Sequence, residues 1–244
     1  MKRGRAVDVG TSGWHYDEWV GPFYPEGTSQ EDYLRCYARS FRSVEINNTF
    51  YQLPGKRTLR LWRDAVPGDF VFSVKASRYI THMKKLKDPR GPVNRLLKGI
   101  EPLSEKMGPV LFQLPPRWKA DPERLSAFLE VLPGDFRYAF EFRDPSWFQE
   151  RIYALLSESG SAFCIYDLDG RQAPKEVTAD FLYVRLHGPA APYQGRYDDQ
   201  SLAGWAGAVS SWARQGKRVF FYFDNDQKGY AAGDALRLSR MVGK

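Results

Sequence analysis

Eight short runs of β-branched and aromatic residues recur about every 25 to 35 positions, and amphipathic stretches separate most of them. The runs are AVDVG (6–10), SVEIN (43–47), FVFSVK (70–75), PVLFQL (109–114), RYAFEF (137–142), AFCIY (162–166), FLYVRLH (181–187) and RVFFYF (218–223). Eight strands with mostly helical crossovers in 244 residues predict an α/β fold, a TIM-type (β/α) barrel of parallel strands forming a single domain over 1–244. An open doubly wound sheet, which more often has fewer strands, is the alternative.

The spacing of apolar residues predicts the helices. Tyr33, Leu34, Tyr37, Ala38 and Phe41 share one face, as do Leu125, Phe128, Leu129 and Leu132, and Leu202, Trp205, Val209 and Trp212. Thr28 with Glu31 reads as a capping box, and Asp121 and Asp144 each precede a proline suited to a first helical turn. Gly160 and Gly216 fall where helix C-caps are expected. Residues 76–108 are long, basic and proline-interrupted, and 167–180 show no helical face, so both are expected to be elaborated loops.

A hydrophobic fraction of 43% with 15% aromatics supports a sizeable core and excludes disorder. No apolar run approaches the roughly 20 residues needed to cross a bilayer, and MKRGRAVDVG turns polar before a signal-like segment forms, so no membrane association and a cytoplasmic location are expected. Cys36 and Cys164 are too few and too far apart for a disulfide framework and are expected as buried thiols. The net charge of +7 suits phosphates, acidic metabolites or nucleic acid. Much of it lies in Arg78, Lys84, Lys85, Lys87 and Arg90, where solvated surface charge is the commoner explanation.

Alternate side chains of a strand face opposite sides, so each run splits into two sets. Tyr138, Phe140 and Phe142 oppose Ala139, Glu141 and Arg143; Val44 and Ile46 oppose Glu45 and Asn47; Phe70, Phe72 and Val74 oppose Val71, Ser73 and Lys75. Val110 and Phe112 oppose Leu111 and Gln113, Leu182, Val184 and Leu186 oppose Tyr183, Arg185 and His187, and Val219, Phe221 and Phe223 oppose Phe220, Tyr222 and Asp224. One face is apolar throughout and belongs under the helices. The other points into the barrel, with its polar members toward the C-terminal strand ends, where barrel active sites are built. Interior ion pairs that merely fill the barrel would produce similar charges, but their recurrence at one end of six strands favours a ligand site.

Seven ordered motifs carry a family resemblance: GTSGWHYDEWVGPFYP, VEINNTFYQLP, FVFSVKASRYITHMKKL, LFQLPPRW, FEFRDPSW, YVRLHGP and YFDND. Together they resemble the DUF72 (YecE-like) family over nearly the whole chain. The resemblance implies a TIM-type barrel and brings no established activity. Where relatives tend to carry an asparagine-rich YFNN and a later NA, this chain has Asp224 and Asp234, so the end of its eighth run is more acidic.

The inward set offers the cations Lys75, Arg143 and Arg185, the carboxylates Glu45, Glu141 and Asp224, and the imidazole of His187, a side-chain type suited to proton transfer. That set suits acid–base chemistry on a small anionic or phosphorylated, sugar-like substrate, with Glu45 or Glu141 as base and Lys75 or His187 as acid. Asn47, Gln113, Arg143, Arg185, Tyr183, Tyr222, Asp224, Asn225 and Trp14 are expected to bind it. Gly188, Gly195 and Gly229 stand in loops that often hold phosphate in barrels, though each alone reads as a turn residue. Trp14, Tyr16, Trp19, Phe50, Tyr51 and Trp147 follow predicted strands and suit stacking or rim packing. A divalent metal on Glu45, Glu141, Asp167, His187 and Asp224 is possible but not favoured; neither His15 nor His82 shows HExxH spacing. No Walker, Rossmann or GxSxG fingerprint is present, so no nucleotide cofactor is expected. The alternatives are a nucleic-acid-binding, endonuclease-like barrel using the basic loop and the rim aromatics, and a non-catalytic ligand sensor.

Overall fold

A computed structural model describes residues 5–243. All eight expected runs are strands: β1 Val7–Thr11, β2 Ser43–Ile46, β3 Val71–Lys75, β4 Met107–Gln113, β5 Tyr138–Glu141, β6 Ala162–Leu168, β8 Phe181–Leu186 and β9 Arg218–Phe223. Between β6 and β8 a two-residue strand, β7 (Arg171–Gln172), pairs antiparallel with β6. The other eight run parallel in the order β1-β9-β8-β6-β5-β4-β3-β2. Among the described residues seven α-helices surround them: α1 Tyr33–Ser40, α2 Lys56–Asp64, α3 Arg90–Ile100, α4 Pro122–Leu129, α5 Glu150–Glu158, α6 Asp199–Arg214 and α7 Tyr230–Val242. This is a nearly closed α/β barrel of the TIM type.

The seam between β1 and β2 is what keeps closure from being complete. Instead of a ladder, the two edges share one bridge, Ser12 with Glu45, where the Gly13 N–H donates to Glu45 O at 2.8 Å. Below it Tyr37 of α1 inserts its hydroxyl, which accepts from Thr11 N and donates to Ser43 O, each at 2.9 Å. Backbone groups left unpaired by the missing ladder are thus satisfied by a side chain. Gly10 is required there, because an added Cβ would collide with Ser43 O.

The parity of the strands is realised as two separate cores. Val44, Ile46, Phe72, Val74, Val110, Phe112, Phe140, Phe142, Val184 and Phe221 pack beneath the helices. Leu111, Ala139, Ala162, Cys164, Phe181, Tyr183, Phe220 and Tyr222 form a distinct cluster inside the barrel. At its N-terminal end Asp8, buried on β1, meets Arg218 Nη2 at 2.8 Å, and that guanidinium lies 4.7 Å from the Phe220 ring.

Three local expectations are corrected. Residues 76–108 contain a π-helical turn (Tyr79–Met83) and α3, which buries Val93, Leu96, Leu97 and Ile100. Pro92 sits in its first turn, where its missing N–H costs nothing. The Thr28–Glu31 capping box does not form: Thr28 Oγ1 donates to Pro25 O, and a 3-10 turn over Gln30–Asp32 leads into α1. Asp144 caps the 3-10 turn Pro145–Trp147 by accepting from Ser146 N at 3.0 Å, rather than capping α5. Asp121 caps α4 as expected, and Gly160 and Gly216 adopt positive φ just past α5 and α6.

Candidate functional site at the C-terminal mouth

The strand ends bring Ser12, Glu45, Glu141, Arg185, His187 and Asp224 into one buried cluster centred on Arg185. Its Nη2 donates to Glu45 Oε1 and Asp224 Oδ2 and its Nη1 to Glu141 Oε2, all at 2.8 Å. Glu45 also accepts from the Ser12 and Tyr183 hydroxyls, the latter at 2.6 Å. Glu141 accepts from Arg143 Nε as well, and Cys164 Sγ lies 3.7 Å from its other oxygen. Three carboxylates therefore share two guanidinium groups in a site without bulk water, the arrangement that makes buried charge tolerable.

Electrostatics follow from these contacts. Burial by itself would raise the Glu141 carboxyl, but the Arg143 and Arg185 guanidinium groups outweigh it and hold it well below the usual carboxylate range. Asp224 is likewise pushed up by burial and pulled down further by Arg185, His187 and Lys75, with a net lowering. Both are anionic at neutral pH. His187 Nε2 lies 2.9 Å from Arg143 Nη2 and 3.3 Å from Arg185 Nη1. Guanidinium groups only donate, so Nε2 is an acceptor and the ring proton sits on Nδ1. Nδ1 is 2.9 Å from Asp224 Oδ2, close but poorly aligned for a hydrogen bond.

The geometry places the expected site residues at different depths. Glu45, Glu141, Arg185 and His187 converge as the parity requires, yet all four are sealed from solvent and occupied by protein partners. Tyr222 and Tyr183 lie deeper: Tyr222 hydrogen-bonds Ser43 and Ser73 hydroxyls at 2.6 and 2.8 Å, and Tyr183 serves Glu45. Asn225 donates to Gly195 O and Asp234 Oδ2, pinning a loop. Trp14 packs edge-on against Trp62 at 4.8 Å beside a hollow of about 250 Å³ that Asn47 also lines, while Asn47 Nδ2 donates to Ser12 Oγ at 2.8 Å. Trp19 and Trp147 are fully buried. The expected phosphate loop is engaged internally, with Gly188 N donating to Tyr197 OH and Gly229 N to Asp226 O. Asp167 pairs with Gln172 at 3.1 Å, and among the described residues no three His, Cys, Asp or Glu side chains are grouped to hold a metal ion.

Above the sealed cluster lie groups with unused hydrogen-bonding capacity. Lys75, at the end of β3, keeps part of its surface open and has no hydrogen-bond acceptor or ion-pair partner among the described residues. Its Nζ rests 4.7 Å from the centre of the Phe50 ring. Burial, and then the positive charge of Arg185, lower its pKa. Arg143 continues from β5, its guanidinium 4.9 Å from the Tyr166 ring, and its Nη1 has no protein partner among the described residues. A hollow of about 440 Å³ opens here, lined by Gln113, Arg143, Tyr166, Arg171, Gln172 and Tyr193 among others. The Gln113 Oε1 atom is buried without a partner. Tyr166 was legible from parity, since it shares a face with Cys164; Arg171 and Gln172, carried by the β7 hairpin, gave no sequence signal.

Comparison with known proteins agrees with this architecture. The chain is 31% identical to a DUF72 family protein of Thermotoga maritima whose crystal structure superposes with a TM-score of 0.89, covering 98% of this chain and 100% of that one. It is 24% identical to the UPF0759 protein YunF of Bacillus subtilis over 97% of its length and 94% of the relative's. With the UPF0759 protein YecE of Escherichia coli it shares 34% identity over 145 residues, so the match spans 58% of this chain and half of that relative. The family model for DUF72, a protein of unknown function, matches residues 8–244, and the chain belongs to that family.

Proposed function

We propose that the protein is an enzyme that holds a small anionic, sugar-like molecule at the C-terminal mouth and moves a proton with Lys75. The observation that carries this reading is the contrast between Lys75 and its neighbours. Arg185 and Arg143 each contact a carboxylate, whereas Lys75 has none within ion-pair distance among the described residues. An amine kept half-buried without a partner costs stability. Its lowered pKa supports acid–base work at a pH nearer neutrality, since a proton-transfer group is most effective when its pKa approaches the working pH. Arg143 and Arg171 offer the substrate anion a donor set, and Tyr166 and Tyr193 flank it with rings.

Thermal-shift titration with small carboxylates, phosphates and sugar phosphates tests this reading. At least one such compound is expected to stabilise the wild type, and Arg143→Gln is expected to abolish the shift. If no anion stabilises the wild type, or Arg143→Gln responds equally, the reading fails. A second reading, nucleic-acid binding, draws support from Tyr51, Tyr79 and Met83, exposed by 75%, 42% and 67% in segments that also carry Arg78, Lys84, Lys85 and Lys87. Contacts of those cations with backbone phosphates, beside bases stacked on the two tyrosine rings, would show as affinity that falls steeply with salt, whereas small-anion binding in the pocket is much less sensitive.

A further inference from the structure

We infer that Lys75 is a carbonyl-trapping amine: the mouth takes a small aldehyde or ketone bearing a carboxylate or phosphate, and Lys75 Nζ condenses with its carbonyl to an imine. This rests on the reading above that the mouth binds a small anion, and names the reactive end of that anion.

Several independent features point the same way. A nucleophilic amine must be reachable, unpaired and unprotonated for part of the time. Lys75 has an open face and no acceptor among the described residues. Its position is fixed: Thr49 Oγ1 lies 2.7 Å from Lys75 O and 2.9 Å from Ile46 O, tying the end of β3 to the turn that carries Phe50. The Phe50 ring under Nζ, itself edge-on to His82 at 5.0 Å, supplies an apolar floor that binds the cation without accepting its proton. Burial and Arg185 both favour the neutral amine. The anchor is separate from the nucleophile, because Lys75 and Arg143 stand on β3 and β5, two strands apart and thus about 10 Å at the backbone.

The chemistry needs no further reagent. The Nζ lone pair forms a C–N bond to the carbonyl carbon while the carbonyl oxygen takes a proton, giving a carbinolamine. Loss of the nitrogen proton and of the hydroxyl, together one water, leaves the C=N bond, with no change of oxidation state. The imine then withdraws electrons from the adjacent carbon, which is what a lysine offers beyond proton transfer.

The test is reductive trapping. Wild-type protein, Lys75→Arg and Arg143→Gln are each incubated with glyoxylate, pyruvate, glyceraldehyde 3-phosphate and uncharged propanal, reduced with cyanoborohydride, and mapped by peptide mass spectrometry. With at least one anionic probe, Lys75 is expected to be labelled at least 10-fold faster than the exposed lysines Lys85 and Lys87 of the same molecule, and the Lys75→Arg protein not at that site. Arg143→Gln should remove most of the preference for the anionic probe while leaving propanal labelling unchanged. Labelling spread evenly over surface lysines overturns the inference, and because that comparison is internal to the wild type it holds even if a variant fails to fold. Selective Lys75 labelling by propanal but no anion would keep the reactive amine and sink the anion-binding reading. Anion-induced stabilisation without any Lys75 adduct would do the reverse.

Discussion

Replacing Arg185 by methionine should reverse the pH dependence of stability. Arg185 is fully buried and holds Glu45, Glu141 and Asp224 at 2.8 Å each, so methionine keeps the side-chain volume but strands the carboxylates. Removing one partner of a buried ion pair costs about 3–5 kcal/mol. Arg143 still covers Glu141, and Lys75 still acts on Asp224, which argues for the lower part of that range. For a chain of this length that corresponds to a fall of about 6–20 °C in melting temperature. In the wild type Asp224 and Glu141 have lowered pKa values, so the unfolded chain takes up their protons first and stability is lost as pH falls below about 4. Without Arg185, burial is the largest influence on Asp224, the native state takes up its proton first, and stability rises as pH falls from 7 to 5. Urea melts of both proteins at pH 7.5 and 5 measure the slopes. A loss below about 1 kcal/mol, or an equal loss at both pH values, would refute the central role given to this guanidinium. Arg185→Lys, which keeps the charge but not the fork, should fall between the two.

Other perturbations address the seam, the rim and the mouth. Tyr37→Phe leaves the Thr11 N–H without its acceptor, which should cost about 1–3 kcal/mol and speed hydrogen exchange selectively at β1 and β2; uniform exchange would show that the seam is held otherwise. Asp226 is raised to about 6 by burial and then by Asp224. Its ionisation opposes folding above that pH, so Asp226→Asn should stabilise by about 1–2 kcal/mol at pH 8, after allowance for its part exposure, and by nothing at pH 4 in paired melts. Lys75→Met breaks no ion pair and removes a charge with a lowered pKa, so the melting temperature at pH 7 should hold or rise, the gain fading toward pH 10. A fall of several degrees would mean that Lys75 is structural.

The fold was legible because the evidence for it is periodic and repeated. Eight runs of residues such as Val44–Ile46 and Phe221–Phe223 fix strand number and inward face, and a parallel barrel follows from their alternation with helices. Depth was not legible. Parity places Glu45, Glu141, Arg185 and Tyr222 inside, but whether a residue faces the ligand or the layer beneath depends on strand stagger, which no single strand encodes. Tyr222 pairs with Arg185 in register yet lies a layer deeper, bonded to Ser43 and Ser73. Ser12, which touches Glu45, Asn47 and Arg185, carries no local signal, because its partners are 33 to 173 residues away in the chain. Asp144 was read correctly as a cap but assigned to the wrong element, since a proline follows it whether a helix or a single turn comes next.

The cost of the sealed cluster bears on why it is there. Buried ion pairs are often no more stable than apolar side chains of equal volume, so three carboxylates and Arg185 are a poor way merely to fill a barrel already packed below by Leu111, Phe220 and Tyr222. What they supply is position. Glu141 takes Arg143 Nε, and His187, oriented toward Asp224, accepts from Arg143 Nη2; the two contacts fix the guanidinium plane and leave Nη1 aimed away from both. The same charges act on Lys75, where Arg185 favours the neutral amine while Asp224, Glu45 and Glu141 limit how far its pKa falls. A network that orients one cation and tunes another, with all three of its own carboxylates buried, supports the proposal that Arg143 and Lys75 are the groups that meet a ligand.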